Sequence, residues 1–178
     1  PQTPKKTFFD LGNYAWAKNE IEYLASKGII KGTSETTFSP EKNITRADFM
    51  LVLVRTLGLN TDIDENFDDV KQTDYYYEAL GIAKKLGIAT GVGNNIFKPM
   101  DHISRQDMMV LVARALRLTG KLSIDGAASD ISKFADTTRV SPYAVESVAT
   151  LVKKGIIQGS NNMINPLGTA TRAETAVT

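Results

Sequence analysis

Cysteine is absent from the 178-residue sequence. That removes disulfide frameworks, thiolate zinc sites and thiol nucleophiles, and it leaves the redox compartment open because secreted proteins need not carry bridges. Histidine is nearly absent: with His102 alone, a histidine metal cage has too few ligands. Net charge is missing as well. Lys and Arg number 21 against 20 Asp and Glu, a balance of +1, so there is no broad pull toward nucleic acid or an anionic membrane, and any anion must be met locally. The longest strongly apolar run, Phe49 to Val54, falls far short of the ~20 residues that cross a bilayer. The opening Pro1-Gln2-Thr3-Pro4 lacks the apolar core of a signal peptide. These absences predict a soluble piece of something larger, with no membrane insertion.

What is present is enough apolar sequence, 42%, for one core or a few small units sharing a centre, and an internal repeat. Asp, Gly, Pro and Arg recur in that order three times: Asp10, Gly28, Pro40, Arg46; Asp69, Gly87, Pro99, Arg105; Asp136, Gly155, Pro166, Arg172. The Asp-to-Arg interval is 36 residues in every copy. The third copy gains one residue before its first helix and loses one before its proline, the kind of compensating slip that a preserved scaffold absorbs in loops. Phe8-x-Asp10, Phe67-x-Asp69 and Phe134-x-Asp136 open the copies. Gly28-Ile29-Ile30-x-Gly32, Gly87-Ile88-Ala89-x-Gly91 and Gly155-Ile156-Ile157-x-Gly159 punctuate them. Phe38-x-Pro40, Phe97-x-Pro99 and Ile164-x-Pro166 follow. The boundaries drawn from this are 1–58, 59–118 and 119–178.

Each copy reads as helix, loop, helix. Ala17, Ile21, Leu24 and Gly28 at helical spacing predict an amphipathic helix from about Tyr14 to Lys27, ended by Gly28 in the left-handed position. Trp16, Tyr75 and Tyr143 each stand 12 residues before the closing glycine, which predicts first helices of roughly three turns. The second helix starts at a capping box: Thr45 with Asp48, Ser104 with Asp107, Thr171 with Glu174, the two Asp versions being weaker because Asp is shorter than the usual Glu. The apolar runs Phe49–Val54 and Met108–Ala113 belong in the middle of the structure, so the second helices are expected to meet in a central bundle with the first helices outside. A buried strand is the competing reading of such a run. The third copy ends seven residues past its cap, and its second helix is expected to be truncated or disordered.

Taken together, Phe-x-Asp, the aromatic helix start, Gly-Ile-Ile-x-Gly, Phe-x-Pro and Ile44-Thr45-Arg46-Ala47-Asp48 resemble the S-layer homology family over residues 8–178. The four-residue signature recurs as Thr45-Arg46-Ala47-Asp48, Ser104-Arg105-Gln106-Asp107 and Thr171-Arg172-Ala173-Glu174. Departures from the family pattern are Ser104, Gln106, Tyr75-Tyr76 in place of Trp-Ala, and Asn161-Asn162 in the third copy. The resemblance implies a mainly α, pseudo-threefold unit with a central helical bundle, outer prongs and ligand grooves between them. It also implies an extracellular place at a Gram-positive cell surface. The ligand it implies is a secondary cell wall polysaccharide, often ending in pyruvate-ketal N-acetylmannosamine, that tethers an S-layer protein or exoenzyme.

On that footing Arg46, Arg105 and Arg172, just after the N-caps, are candidate contacts for the ligand carboxylate. There a guanidinium fork and a helix N-terminus would act together. Asp10, Asp69 and Asp136 are counted with them as ligand-binding candidates; the competing reading pairs each Arg with one of these acids to fix a loop. Trp16, Tyr75 and Tyr143 either present a ring face to the sugar or pack the helix start against the bundle. Gly32, Gly91 and Gly159 either let backbone approach the ligand or only supply positive φ. His102 beside Asp101 has no counterpart in the other copies and reads as a solvated loop residue. Asp62, Asp64 and Glu65 lack EF-hand spacing and read as an exposed linker. No facing carboxylate pair of the glycosidase kind recurs, so neither catalysis nor a cofactor is expected. Protein–protein assembly within an S-layer is the alternative function.

Overall fold

The structure is a computed structural model that describes residues 6–178; the opening Pro1-Gln2-Thr3-Pro4 lies outside them. Six α-helices form: α1 Ala15–Ser26, α2 Arg46–Leu57, α3 Tyr77–Lys85, α4 Arg105–Leu118, α5 Val145–Lys153 and α6 Arg172–Val177. No strand forms among the described residues, only isolated bridges such as Asn43 with Thr171 and Ser104 with Thr169. The fold is mainly α, and both long apolar runs are helical rather than extended.

The second helices begin where their caps are written. Thr45, Ser104 and Thr171 Oγ accept the backbone N–H of Asp48, Asp107 and Glu174 at 3.1, 3.2 and 3.2 Å. Only Glu174 reaches back to its cap, accepting Thr171 N–H at 2.8 Å. The shorter Asp48 and Asp107 turn elsewhere. α6 is formed through Val177 with Ala173, Thr175 and Ala176 buried, so the expectation of disorder there is corrected. A complete capping box and burial of one face hold a helix of six residues that would not stand alone.

The first helices end as the glycines predict. Gly28 has φ +70°, its N–H bonds Ala25 O, and Ile29 N–H bonds Leu24 O, both at 3.0 Å, a Schellman closure. Their starts differ from expectation. α1 has 12 residues, but α3 and α5 have 9 each. Tyr75 lies in the turn ahead of α3, and Tyr143 in a 3-10 turn, Pro142–Ala144. Both turns are closed by three-residue bonds, Tyr77 N–H to Asp74 O and Ala144 N–H to Ser141 O, and the α-helix starts only after them.

Two compact parts are present: the stretch to Ile44 together with Ala170–Thr178, and Thr45–Thr169. In the first, α1 packs against α6. In the second, α2 packs on α3 and α4, and α4 on α5, around a core that includes Met50, Leu80, Phe97, Met108 and Met109. Each second helix therefore packs on a first helix from another copy. The boundaries fall just before the second helices of copies one and three, and copy two lies whole in the second part.

Candidate functional site

The loop that precedes each second helix is clamped by the aspartate that opens its copy. Asp10 accepts Phe38 N–H and Ser39 N–H at 2.9 and 2.7 Å. Asp69 accepts Phe97 N–H and Lys98 N–H at 2.9 and 2.7 Å. Asp136 accepts Ile164 N–H and Asn165 N–H at the same two distances. All three carboxylates thus hold the Phe-x-Pro segment and its Ile164-x-Pro166 equivalent in place. The clamped segment then turns its carbonyls to another copy. Arg46 Nε donates to Phe97 O at 2.9 Å, Arg105 Nε to Ile164 O at 3.1 Å and Arg172 Nε to Phe38 O at 3.0 Å. The donor order is one to two, two to three and three to one. Arg46 and Arg172 also lay their guanidinium over the rings of Phe97 and Phe38, 4.7 and 4.5 Å from the centroids.

The helix N-termini themselves are not open to a ligand as the sequence suggested. Arg46 and Ala47 N–H donate to Asp101 O and Pro99 O; Arg105 and Gln106 N–H to Gly168 O and Pro166 O; Arg172 and Ala173 N–H to Lys42 O and Pro40 O. A helix leaves its first N–H groups unsatisfied, and here neighbouring loops consume them. The pairing of Arg with the opening aspartates is also corrected for Arg46. Its ion pair is with Asp107, 3.2 Å from Nη1 to Oδ2.

Asp107 is the centre of a small network. Its Oδ1 accepts the Tyr143 hydroxyl at 2.7 Å. Gln106, buried where the other copies have alanine, donates from Nε2 to Tyr143 Oη at 3.2 Å and to Ser141 Oγ at 3.0 Å, and accepts Ser141 N–H at 2.9 Å. Asp48 holds Tyr75 in the same way, accepting its hydroxyl at 2.7 Å. Trp16, Tyr75 and Tyr143 are 54, 63 and 58% exposed, so each presents aromatic surface to solvent while both tyrosines are tethered at their polar end.

That tether sets a pH dependence. Desolvation first, and then the bond to Asp107, push the Tyr143 hydroxyl up to about 12; desolvation and then the bond to Asp48 raise Tyr75. The folded protein keeps the Tyr143 proton beyond the ordinary tyrosine value of ~10. The stability it contributes is therefore full below pH ~10 and is lost as pH rises through about 12. Phenolate absorbance of the wild type minus Tyr143→Phe should show the missing component titrating near pH 12 rather than near 10.

Arg46, Asp107 and Tyr143 line a groove of about 420 Å³ within Thr45–Thr169, together with Gly91, Phe97 and Arg114. Two smaller recesses lie beside Tyr75 and beside Gly32. Gly91 has φ +73°, and a Cβ there would stand 2.5 Å from Ile96 O. At Gly32 an added Cβ would meet the Phe8 ring at 2.6 Å, and at Gly159 the Phe134 ring at 2.6 Å, so these glycines admit the protein's own ring and backbone. His102 is exposed, as are Asp62, Asp64 and Glu65; Asp64 pairs with Lys85 and Glu65 with Lys84. Sequence reasoning read Asp107 only as a cap partner and Gln106 only as a departure, and it missed Arg114. A signal for the last existed: an arginine stands nine residues after the signature arginine in copies one and two, Arg55 and Arg114.

The chain is similar to regions of much longer proteins. It is 37% identical over 173 residues to an amylopullulanase of Thermoanaerobacterium thermosulfurigenes, covering 96% of this chain and 9% of that protein. It is 31% identical over 166 residues to the surface-layer 125 kDa protein of Lysinibacillus sphaericus, 91% of this chain and 14% of that protein. It is 32% identical over 173 residues to the S-layer protein sap of Bacillus anthracis, 96% of this chain and 20% of that protein. The chain thus spans a fifth or less of these relatives' length. Enzymes and surface-layer proteins share this one region, which is no catalytic domain but an extracellular cell-wall anchoring module. The family model of the S-layer homology domain matches residues 7–50, 66–109 and 133–176, the stretches where the three copies recur, and the chain belongs to that family.

Proposed function

We propose that the anchoring works by non-covalent binding of an anionic secondary cell wall polysaccharide whose pyruvate-ketal N-acetylmannosamine enters grooves such as the one beside Tyr143. The observation that carries this reading is that groove. Its wall holds two arginines and one carboxylate, and an exposed tyrosine ring stands at its side. A pyruvyl carboxylate suits the guanidinium groups, and the apolar face of a sugar suits the ring. Trp16 and Tyr75 are the corresponding rings of the other copies. Several weak sites on one module raise retention through effective concentration. That fits a part found in surface-layer proteins and in an amylopullulanase alike.

Calorimetric titration of the domain with purified pyruvylated wall polymer, beside the same polymer after mild acid removal of pyruvate, tests the reading. Binding that disappears with the pyruvate is the expected result. Equal binding of both polymers would move recognition to the neutral sugar and the rings. Failure of both, with concentration-dependent oligomers, would leave protein–protein assembly as the function.

A further inference from the structure

The groove beside Tyr143 contains three formal charges, and they are not equally available. Arg46 has its Nε on Phe97 O, its Nη1 on Asp107 and its plane over the Phe97 ring, and only 10% of its side chain is exposed. An anion that approached Arg46 would also approach Asp107, and the two fields oppose each other. Arg114 is different. It stands seven residues after Asp107 on α4, on the same face by helical spacing, and half-buried. Its Nη1 donates to Ile88 O at 3.1 Å and Thr90 Oγ1 at 3.4 Å, two neutral acceptors on the loop that ends in Gly91. Among the described residues it pairs with no carboxylate, and its Nε and second Nη carry no hydrogen bond. Arg55, at the same offset in copy one, lines the recess beside Tyr75. An arginine and a hydroxyl-tethered tyrosine thus recur together outside the repeated signature.

Resting on the polysaccharide reading above, we infer that Arg114, and not the signature Arg46, supplies the charge that a ligand carboxylate meets in this groove. The Nη1 tether fixes the guanidinium plane against the Ile88–Gly91 loop and leaves the remaining N–H fork for two oxygens of one carboxylate. The sugar that carries the carboxylate then lies toward Tyr143. Arg46 is a positioning residue: it holds Asp107, and Asp107 holds the Tyr143 hydroxyl. Arg55 is the equivalent contact beside Tyr75.

Amide NMR titration separates this assignment from the reading it rests on. The probes are a purified pyruvylated wall-polymer fragment and the same fragment after mild acid hydrolysis, with the Gly91 and Val92 amides as reporters. In the wild type the reporters should shift with the pyruvylated fragment. In Arg114→Gln the affinity read at them should fall roughly tenfold or more, the loss of one charge-assisted contact, with little change for the hydrolysed fragment. Arg114→Lys should recover part of the loss, and Arg117→Gln, an exposed change on the same helix, should leave the affinity as in the wild type. Full pyruvate discrimination at Gly91 in Arg114→Gln would overturn the assignment, as would an equal loss for both fragments, which marks a merely structural role. A wild type whose reporters ignore both fragments would instead overturn the polysaccharide reading at this groove.

Discussion

Arg46→Ala should lower the stability of the Thr45–Thr169 part by about 3 kcal/mol, the lower end of what breaking a buried ion pair costs. The lower end applies because Asp107 is 31% exposed and keeps its bond to Tyr143. The loss has three sources: Phe97 O is left without its Nε donor, Asp107 without its cation, and the Phe97 ring without the plane packed on it. A urea midpoint measures the total, and a melting temperature lower by about 10 °C accompanies it at this chain length. Arg46→Met separates the sources, since it keeps a long stem against Phe97 and removes only the donors and the charge. Arg46→Lys should recover little, because an ammonium cannot serve Phe97 O and Asp107 through one planar fork. A midpoint unchanged in Arg46→Ala would mean that this joint between copies one and two contributes nothing measurable.

Gly126→Ala is expected to be as damaging, at about 3 kcal/mol, the upper range of overpacking. The added Cβ would lie 2.1 Å from Thr150 N and 2.5 Å from Ala149 C. Those atoms are backbone of α5 and cannot swing aside as a side chain would. The loop must retreat, and it then gives up the Gly126 N–H bond to Thr150 Oγ1, 2.8 Å in the native state. Because the Tyr143 turn leads directly into α5, the groove should lose affinity in the same variant. Gly12→Ala is the control: nothing lies within 4 Å of its added carbon, and φ is −57°, so its midpoint should stay near the wild type. Equal midpoints for the two variants would contradict the close approach at Gly126.

Local features of the chain were legible in the sequence because their partners are near in sequence. Thr45, Ser104 and Thr171 cap helices three residues on. Gly28, Gly87 and Gly155 close first helices with positive φ. The helix starts at Tyr75 and Tyr143 were the local failure. Periodicity gave the face of each helix but not the three-residue bonds of its first turn.

By itself the sequence determined three copies, through a 36-residue interval repeated three times, and two helices in each, through apolar spacing and caps; the family and the anchoring role followed from the likeness of the repeated motifs to a known family. Only the tertiary structure decided what the repeated residues do. Asp69 clamps a loop 28 positions away, Arg46 meets Phe97 across 51 positions, and Arg172 meets Phe38 across 134. Each signature helix finds the carbonyls for its first N–H groups in another copy. Such groups must be satisfied wherever they are buried, but periodicity within one copy cannot say which neighbour will do it. For the same reason the conspicuous Arg46 became a joint, and Arg114, outside the signature, was left lining the groove.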